Sequence, residues 1–392
     1  MPERVYLDNA ATTPLDPRVE EVMRPWLGAR VGNPSSLHSF GREAREAVED
    51  ARQKVAGLLH AAPEEIVFTG SGTEADNLAL AGSLRTGERR LGHVVTSAIE
   101  HPAVLETCRH LERHGIAASY LPVDAEGRVD PATLESALMP STRLVSVMAA
   151  NNVVGTLQPI TELGRIAHAH GALFHTDAVQ AAGKLPLDLR AEPIDLLSLS
   201  AHKLNGPQGI GALYVRRGVT LEPFVRGGGQ ERGLRSGTES VAAIVGFGQA
   251  AEIAAAQLTH ENARLARMSD RILETLEASV PNVYLVGDRH TRLPGHLCLG
   301  FRGQEGEAIR LLLALDEEGI GVSSGSACSA GHSGEPSYVL LAMGFDPIRA
   351  RGSLRVTLGR FTTEAEIDRF LDVLPPAAAS LRPLTSHVAT SA

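Results

Sequence analysis

The sequence predicts an α/β fold, with a mainly parallel, doubly wound sheet in a large domain and a second, smaller α+β domain. Two patterns indicate this fold. Between residues 66 and 199, apolar runs alternate with helical patterns, and the runs are almost continuously apolar, as expected for strands that are covered on both faces. After Pro281 the chain changes to shorter strands and helices in mixed order. We therefore place the large domain at residues 15–258, and the small domain at residues 259–392 together with residues 1–14.

The elements of the large domain follow from these runs in order. The predicted strands are residues 66–69, 94–98, 144–149, 172–176 and 194–199, and the predicted helices between them are residues 74–85, 102–114, 131–138 and 161–170. Repeated strand–helix–strand units imply right-handed crossovers. Residues 211–215 form one more strand, but the link that precedes it is too short for a crossover helix. This strand is therefore predicted to run antiparallel to its neighbour.

The small domain is entered through a long Ala-rich helix, predicted over residues 239–280. Strands are expected at residues 283–286, 296–301 and 353–358, and helices at residues 307–319 and 363–374. The segment after Pro375 is rich in Ala, Ser, Thr and Pro, so we expect it to be frayed.

Composition excludes several classes of protein. Of the 392 residues, 43% are hydrophobic and 21% are charged, which is typical of a globular chain and not of a disordered one. The net charge of −9 gives no support to broad or direct nucleic-acid binding. The three cysteines are far apart in sequence and suit a reducing compartment. Without a signal-like start or an 18-residue apolar run, we expect a cytoplasmic protein with no membrane association.

A glycine- and hydroxyl-rich turn, TGSGTE at residues 69–74, joins the first predicted strand to the next helix. Small residues let backbone N–H groups approach an anion, and a helix N-terminus favours negative charge. The turn has neither the GK[ST] of a Walker A motif nor the GxGxxG of a dinucleotide site. Taken alone, it predicts either a phosphate site or an ordinary Ser or Thr helix cap.

Two more charged residues follow predicted strands. Asp177 stands at the end of one strand, where open α/β sheets bind ligands, although it could equally cap the next helix. Lys203 follows another strand, in a loop constrained by nearby Gly and Pro residues. Most lysines are solvated surface charges, but a buried lysine can form an imine with an aldehyde. A phosphate cradle, a strand-end carboxylate and a strand-end lysine together are what pyridoxal 5'-phosphate requires.

The chain resembles the NifS/IscS-like cysteine desulfurases, which are class V, fold-type I pyridoxal-phosphate enzymes. The resemblance runs from Tyr6 to about Leu374 and includes the motifs YLDNAATTP, IVFTGSGTEADN, SAIEHPAV, NNVVGTLQPI, HTDAVQAAGK, SLSAHKLNGPQGIGALYVR, GGGQERGLRSGT, SSGSACSAG and LRVTLGR. It implies a fold-type I transferase with a seven-stranded main sheet, and pyridoxal 5'-phosphate as the cofactor.

The resemblance also implies roles for individual residues. Lys203 matches the lysine that holds the cofactor as an imine, Asp177 the partner of the pyridine nitrogen, and His101 the histidine that stacks on the ring and helps proton transfer. Gln180 and Asn152 match residues near the phenolic oxygen of the cofactor. The phosphate contacts match Gly72, Thr73, Ser200 and His202, with Thr238 reaching the phosphate of the neighbouring subunit. Arg355 matches the arginine that binds the substrate carboxylate, with Asn33 and Asn152 assisting.

Cys328 decides the reaction type. It lies in a polar, Gly-rich stretch, SSGSACSAGHSGEP, which predicts an exposed loop and suits a reactive thiol better than a buried one. In the family, SSGSAC marks the nucleophile of the long-loop group I, and the RxGHHC pattern of the short-loop group is absent here. Cys108 and Cys298 lie in a helical and a strand pattern, and both are expected to be structural. No resident metal is expected, although Cys328 is a candidate transient ligand of a cluster.

Two positions depart from the family pattern. Val153 stands where the family usually has Glu in NNE(I/V)G, and Ile99 stands where it often has Thr in TEH. Both put secondary contacts in doubt. The closely spaced His110, His114, His168 and His170 lack neighbouring Cys or acidic ligands and are expected to be solvated surface residues.

The resemblance implies conversion of L-cysteine to L-alanine, with the sulfur captured as a persulfide on Cys328. It also implies a homodimer and a sulfur-acceptor protein, such as an iron–sulfur scaffold or a tRNA-thiolation carrier. Two alternatives remain open. One is a related pyridoxal-phosphate enzyme, a selenocysteine lyase or a class V aminotransferase, and the other is a non-enzymatic assembly partner that keeps the fold.

Overall fold

The computed structural model describes residues 4–84, 92–304, 307–325 and 335–381. The strands of these residues are β1 Val5–Tyr6, β2 Ile66–Thr69, β3 His93–Ser97, β4 Ala117–Leu121, β5 Thr142–Ser146, β6 Leu173–Asp177, β7 Leu196–Ser200, β8 Gly211–Val215, β9 Val283–Leu285, β10 His296–Phe301, β11 Ile320–Gly321, β12 Ser323–Ser324 and β13 Ser353–Thr357. The α-helices are α1 Pro17–Met23, α2 Ser39–Leu58, α3 Gly72–Leu84, α4 Pro102–Glu112, α5 Pro131–Ala137, α6 Ile160–Ala169, α7 Val241–Ser279, α8 Ala308–Glu317, α9 Tyr338–Ala342 and α10 Glu364–Ser380.

The main sheet has seven strands in the order β2-β8-β7-β6-β5-β3-β4. Strands β3 to β7 pair in parallel, whereas β8 pairs antiparallel with both β7 and β2. This confirms the predicted mainly parallel sheet and its one reversed strand. Apolar side chains of β5, β6 and β7 are buried, except for the partly buried Leu173 at the start of β6, because helices cover both faces of the sheet.

The small sheet is antiparallel, in the order β12-β13-β10-β9, and a two-stranded parallel pair joins β1 to β11. The N-terminal segment therefore pairs with elements more than 300 residues later in the chain, as in the register of Val5 with Ile320. Such pairing is compatible with the placement of residues 1–14 in the small domain. That assignment stays a prediction, as does the boundary near residue 258.

Helix α7 connects two apolar cores. Its first half contributes Ile244 and Phe247 to the core beneath the main sheet, and its second half contributes Ile272 and Leu276 to the core of the small sheet. By length and composition α7 could cross a membrane, but half of its most apolar window is buried inside the protein. A buried core helix satisfies the same criterion, so α7 is weak support for a membrane span.

The prediction of a frayed segment after Pro375 was wrong for the residues up to Ser380. Helix α10 continues to Ser380 through Pro375 and Pro376, where a frayed tail was expected. Leu374 and Ala378 are buried in the small core, and their packing offsets the hydrogen bonds that the two prolines cannot donate. Residues 382–392 lie outside the described part of the chain.

Candidate active site

A cavity of about 630 Å³ lies at the carboxyl edge of the main sheet. This is the edge at which open α/β sheets bind ligands, and the volume is ordinary for a cofactor site. Of the residues predicted from the sequence, the cavity brings together Gly72, Thr73, His101, Asn152, Asp177, Gln180, Ser200, His202, Lys203 and Arg355. These residues are spread over more than 280 positions, so the fold alone makes them neighbours.

The N-terminus of α3 forms one wall of the cavity. Ser71 precedes the helix, and its Oγ accepts a hydrogen bond from the Glu74 N–H at 3.0 Å, so the predicted cap is present as well. The backbone packs closely here, because a Cβ at Gly72 would lie 2.8 Å from Cγ2 of Val179. A helix of 13 residues that starts at a cavity wall presents free N–H groups and a partial positive charge. This wall suits the phosphate of pyridoxal phosphate.

Two buried carboxyl groups line the same cavity, Asp177 at the end of β6 and Asp76 on α3. Burial raises the pKa of Asp177, and the charges of His101 and Lys203 partly oppose that rise. Burial and the nearby Asp177 raise the pKa of Asp76 well above its ordinary value. Within the described residues, Oδ1 of Asp76 has no hydrogen-bond partner. A protonated ring nitrogen would supply the positive charge that this pair lacks.

Lys203 ends a short 3-10 helix, Ala201–Lys203, directly after β7. Its Nζ donates hydrogen bonds to the backbone carbonyl oxygens of Ala10 and Ala11, the latter at 2.6 Å. Gln180 Nε2 donates to the same Ala10 carbonyl at 2.9 Å. The N-terminal segment therefore holds the lysine amine at the cavity, next to the amide predicted to face the phenolic oxygen of the cofactor.

His101 caps α4 and is half-buried at the cavity. Its Nδ1 accepts a hydrogen bond from the Ala103 N–H at 3.1 Å, so the neutral ring carries its proton on Nε2. Burial lowers the pKa of His101, and the charge of Lys203 lowers it further, against an opposing contribution from Asp177. A neutral histidine whose proton is on Nε2 is suited to moving a proton at this site.

Glu100 is fully buried beside His101. Its carboxyl accepts hydrogen bonds from Ser97 Oγ at 2.5 Å and from the Met148 N–H at 3.0 and 3.1 Å. Burial raises the pKa of Glu100 to about 8, in spite of these hydrogen bonds. The group is therefore a neutral acid at neutral pH, next to His101 in the chain.

The substitution Glu100→Gln should change how stability depends on pH. The raised pKa of about 8 means that the folded protein keeps a proton that the unfolded chain releases. Such a group stabilises the fold fully below its unfolded pKa of ~4.3, and this stabilisation is lost as the pH rises towards the folded value. We expect wild type to lose ~2 kcal/mol or more of unfolding free energy relative to Glu100→Gln between about pH 5 and pH 8, measured by urea unfolding.

The control for this substitution is Glu20→Gln, in an exposed ion pair with Arg24. Its stability should follow the wild-type curve at every pH. Parallel curves for Glu100→Gln and wild type would show that Glu100 is ionised in the folded protein.

Arg355 projects from β13 and is 3% exposed. Its Nη1 donates to the carbonyl oxygen of Asn152 at 3.0 Å, and its Nη2 donates to Oδ1 of Asp8 at 2.8 Å. Its Nε has no hydrogen-bond partner among the described residues. Arg355 also lines the cavity, and a guanidinium at the cavity wall suits a carboxylate that the substrate brings.

Three predicted residues are not part of this cavity as described. Asn33 and Thr238 are both exposed and lie outside it. Cys328 falls within residues 326–334, outside the described part of the chain. The roles predicted for these three residues stay predictions.

The other two cysteines are buried without solvent access. Burial raises the pKa of Cys108 to about 12, and it also raises the pKa of Cys298. A thiol acts as a nucleophile only when it is ionised, so neither is suited to attack a substrate. This agrees with the prediction that both are structural.

The two departures from the family pattern, Ile99 and Val153, belong to one buried apolar cluster that also contains Cys298. A buried polar group is costly unless it is hydrogen-bonded, and the apolar side chains of Ile99 and Val153 avoid that cost within this cluster.

The four closely spaced histidines are all exposed, which agrees with the prediction that they are surface residues. His168 Nε2 pairs with Asp195 at 2.7 Å, and His170 Nε2 bonds to the Met139 carbonyl at 2.9 Å. His114 Nδ1 contacts the carbonyl oxygen of His110 at 2.8 Å. Across the part of the chain that the structure describes, no three His, Cys, Asp or Glu side chains cluster as metal ligands would.

Several cavity residues were missed in the sequence. Asp8 and Asp76 lie within motifs that resemble the family, YLDNAATTP and GTEADN, but nothing in their spacing shows that they face the site. The carbonyl groups of Ala10 and Ala11 carry no sequence signal, because every residue has a backbone carbonyl.

Comparisons with known proteins agree with this geometry. The family model described as Aminotransferase class-V matches residues 5–370. The cysteine desulfurase IscS of Dictyoglomus turgidum is 47% identical over 387 residues, which cover 99% of this chain and 98% of the relative. A solved NifS-like protein superposes with a TM-score of 0.90 at 39% identity, covering 97% of this chain and 100% of the other. SspA, solved in complex with cysteine, superposes with a TM-score of 0.81 at 37% identity, with coverages of 92% and 100%.

The chain therefore belongs to the class-V aminotransferase family, with the fold of fold-type I pyridoxal-phosphate enzymes. Within this family it groups with the NifS/IscS-like cysteine desulfurases, which are pyridoxal-phosphate-dependent enzymes.

Proposed function

We propose that this protein is a cysteine desulfurase that converts L-cysteine to L-alanine and holds the released sulfur as a persulfide on Cys328. The observation that carries the proposal is the meeting of Lys203, Asp177 and Arg355 in one cavity beside the N-terminus of α3. Lys203 suits an aldehyde and Asp177 suits a pyridinium nitrogen. Arg355 suits a carboxylate, and the N-terminus of α3 suits a phosphate.

The cavity residues divide into three groups around the cofactor. The N-terminus of α3 at Gly72 and Thr73 would hold the phosphate, with Ser200 and His202. Burial lowers the pKa of His202 to about 4, so it would meet the phosphate as a neutral donor. Asp177 would pair with the ring nitrogen, Gln180 and Asn152 would face the phenolic oxygen, and Lys203 would bind the aldehyde. The bound cofactor supplies an electron sink for bonds broken at the substrate α-carbon.

The chain's own groups then act on the substrate. Arg355 binds the carboxylate of L-cysteine and fixes its orientation, with Asn152 assisting. Lys203 Nζ moves the α-proton, and Nε2 of His101 assists the transfer. The Cys328 thiolate attacks the substrate sulfur, so that an S–S bond forms, the C–S bond breaks and the carbon gains a proton. The products are L-alanine and one persulfide.

The decisive experiment is a product analysis with L-cysteine as substrate. With a reductant present to release the persulfide, alanine and sulfide should appear in equal amounts. Formation of a keto acid without sulfide would indicate an aminotransferase. Turnover of L-selenocysteine but not of L-cysteine would indicate a selenocysteine lyase. Absence of bound cofactor and of any product would indicate a non-enzymatic partner.

The acceptor of the sulfur is a protein partner, and the candidates are an iron–sulfur scaffold and a tRNA-thiolation carrier. A persulfide on a loop can reach an external thiol, which favours transfer to a protein over release into solution. The SSGSAC sequence supports placement in the long-loop group I, and a transient role of Cys328 as cluster ligand belongs to the same proposal. We propose that the enzyme works in the cytoplasm.

Thr238 supports a homodimer with shared active sites. It is exposed, it lies outside the cavity of its own subunit, and its loop is nevertheless firmly attached. The attachment is a buried ion pair in which Arg52 Nη1 and Nη2 donate to the carboxylate of Glu231 at 2.7 and 2.8 Å. A fixed loop that presents a hydroxyl group away from its own site suits a contact with a neighbouring subunit.

Subunit mixing tests this arrangement. Thr238→Val should weaken retention of the cofactor, because the phosphate loses a hydroxyl donor; a loss of about tenfold is expected for one hydrogen bond to a charged group. A hybrid dimer is then formed from one Thr238→Val subunit and one Lys203→Ala subunit. If the sites are shared, one of its two sites combines an intact Lys203 with an intact Thr238 and should bind cofactor as wild type does. A hybrid without any wild-type site, or a fully active monomer in light scattering, would contradict the shared arrangement.

A further inference from the structure

Asp8 places a negative charge directly beside the substrate arginine. Its Oδ1 accepts a hydrogen bond from Nη2 of Arg355 at 2.8 Å, and the side chain lines the cavity. The side chain of Arg355 is 3% exposed and that of Asp8 is 19% exposed. The pair is therefore largely withdrawn from water, where a fixed charge acts more strongly than it would at the surface.

Asp8 cannot easily move out of the way of a ligand, because the residues on both sides of it are attached to β13. The Thr357 N–H donates to the Leu7 carbonyl at 2.7 Å. Asn9 Nδ2 donates to the Thr357 carbonyl at 2.8 Å, and the Ala10 N–H donates to Thr357 Oγ1 at 2.9 Å. Thr357 and Arg355 belong to the same strand, so Asp8 and Arg355 are held in a fixed relation.

The two hydrogen bonds of Arg355 also hold its guanidinium at the wall of the cavity. One N–H of Nη2 is directed to Asp8 and one of Nη1 to the Asn152 carbonyl, whereas Nε has no partner among the described residues. Two fixed acceptors set the plane of the guanidinium before any substrate arrives. A substrate carboxylate therefore meets an oriented donor group, with a second negative charge directly next to it.

We propose that Asp8 is a positioning and specificity-determining residue, which orients Arg355 and excludes amino acids whose side chain brings a further negative charge. The inference rests on the proposed function, since it takes Arg355 as the carboxylate site. One guanidinium charge is shared between Asp8 and the substrate carboxylate. An amino acid with an acidic side chain adds a third negative group beside a guanidinium whose charge is already shared between two.

Electrostatic exclusion of this kind suits a desulfurase. L-Cysteine enters with a neutral thiol, whereas aspartate and cysteine oxidised to its sulfinate have similar size and carry one more negative charge. Repulsion between like charges several ångström apart in a partly buried site is expected to change affinity by about tenfold or more. Discrimination by a built-in repulsive charge is a common means of specificity.

The test compares L-asparagine with L-aspartate, two ligands of nearly equal shape that differ by one charge. Their Kd values for the cofactor-loaded enzyme are measured from the change in visible absorbance. Wild type should bind L-asparagine at least about tenfold more tightly than L-aspartate. In Asp8→Asn the Kd ratio should fall to within about twofold of one, and KM for L-cysteine should rise more than kcat falls.

The matched control is Glu20→Gln, which removes the same charge from an exposed ion pair on α1. Its Kd ratio should equal that of wild type. The conservative variant Asp8→Glu keeps the charge and should keep most of the ratio. If Asp8→Asn does not fold, Asp8→Ser removes the same charge with a smaller side chain and decides the question.

A merely structural role for Asp8 would change both Kd values by the same factor and leave their ratio as it is in wild type, which would overturn the proposal. The Kd ratio needs no turnover, so it is independent of the desulfurase assay. If wild type makes no alanine from L-cysteine, the proposed function fails, and the Kd ratio still shows whether Asp8 sets the charge selectivity of the cavity.

Discussion

Lys203→Ala should abolish covalent attachment of pyridoxal phosphate and lower kcat by ~10³ or more, the usual scale for loss of one member of a catalytic unit. The purified wild-type protein should be yellow, and the variant should lose the absorbance band of the attached cofactor. Nζ of Lys203 lies at the cavity, held by the carbonyls of Ala10 and Ala11. The variant keeps the α3 N-terminus and Asp177, so it should still bind the cofactor, but reversibly and more weakly.

The site of attachment can be identified directly, because the chain contains only three lysines, Lys54, Lys184 and Lys203. Lys54 belongs to a surface ion pair with Asp50. Lys184 is the real competitor, since burial lowers its pKa to about 7 and Nζ lies 3.4 Å from Oε1 of Gln180. A partly neutral amine is reactive towards aldehydes.

Borohydride reduction followed by peptide mass spectrometry distinguishes the three lysines. The reduced cofactor should be found on the peptide that contains Lys203. Lys54→Ala should match wild type in colour and activity. Label on the Lys184 peptide of the wild-type protein would move the site of attachment and refute the assignment of Lys203.

Cys328→Ala should remove desulfuration, with a fall in turnover of ~10³ or more, while leaving cofactor binding intact. The cofactor contacts proposed above are all made by other residues, so the yellow colour should remain. L-Cysteine should still change the spectrum of the bound cofactor, because Arg355 and Lys203 are untouched. No other thiol is suited to replace Cys328, since Cys108 and Cys298 are fully buried and burial raises the pKa of both.

Mass spectrometry of wild type after addition of L-cysteine gives the direct measurement. One additional sulfur should be found on the peptide that contains Cys328. Cys108→Ser serves as the control and should keep the persulfide and most of the activity if it folds. Near-normal turnover of Cys328→Ala, or extra sulfur on Cys108 or Cys298, would refute the sulfur-transfer step without affecting the cofactor assignment.

Most of the main sheet could be predicted from apolar runs, because buried parallel strands leave a strong signal. The strand β2 was predicted with its observed ends, and the reversal of β8 followed from the short link before it. The edge strand β4, Ala117–Leu121, was missed as a run, since only Leu121 of its residues is buried. Helix α2 was also missed. Its many charged residues make the buried positions along one side of the helix hard to detect in the sequence.

The candidate site could be predicted in its residues but not in its contacts. Lys203, Asp177 and the α3 turn each follow a strand, so their common edge followed from the topology of a parallel sheet. The N-terminal segment was different. Its carbonyls at Ala10 and Ala11 hold Lys203, and its Asp8 holds Arg355, although these partners lie about 190 and 350 positions away.

The sequence by itself determined the fold class, the cofactor and the class of reaction, because each rests on residue types that occur in ordered motifs along the chain. Only the tertiary structure decided which groups are charged and which donors lack partners. Burial raises the pKa of Glu100 to about 8, and the pairing of Arg355 with Asp8 leaves Nε without a partner among the described residues. Both depend on how much water the surrounding elements exclude, and desolvation arises from packing between segments that are distant in sequence.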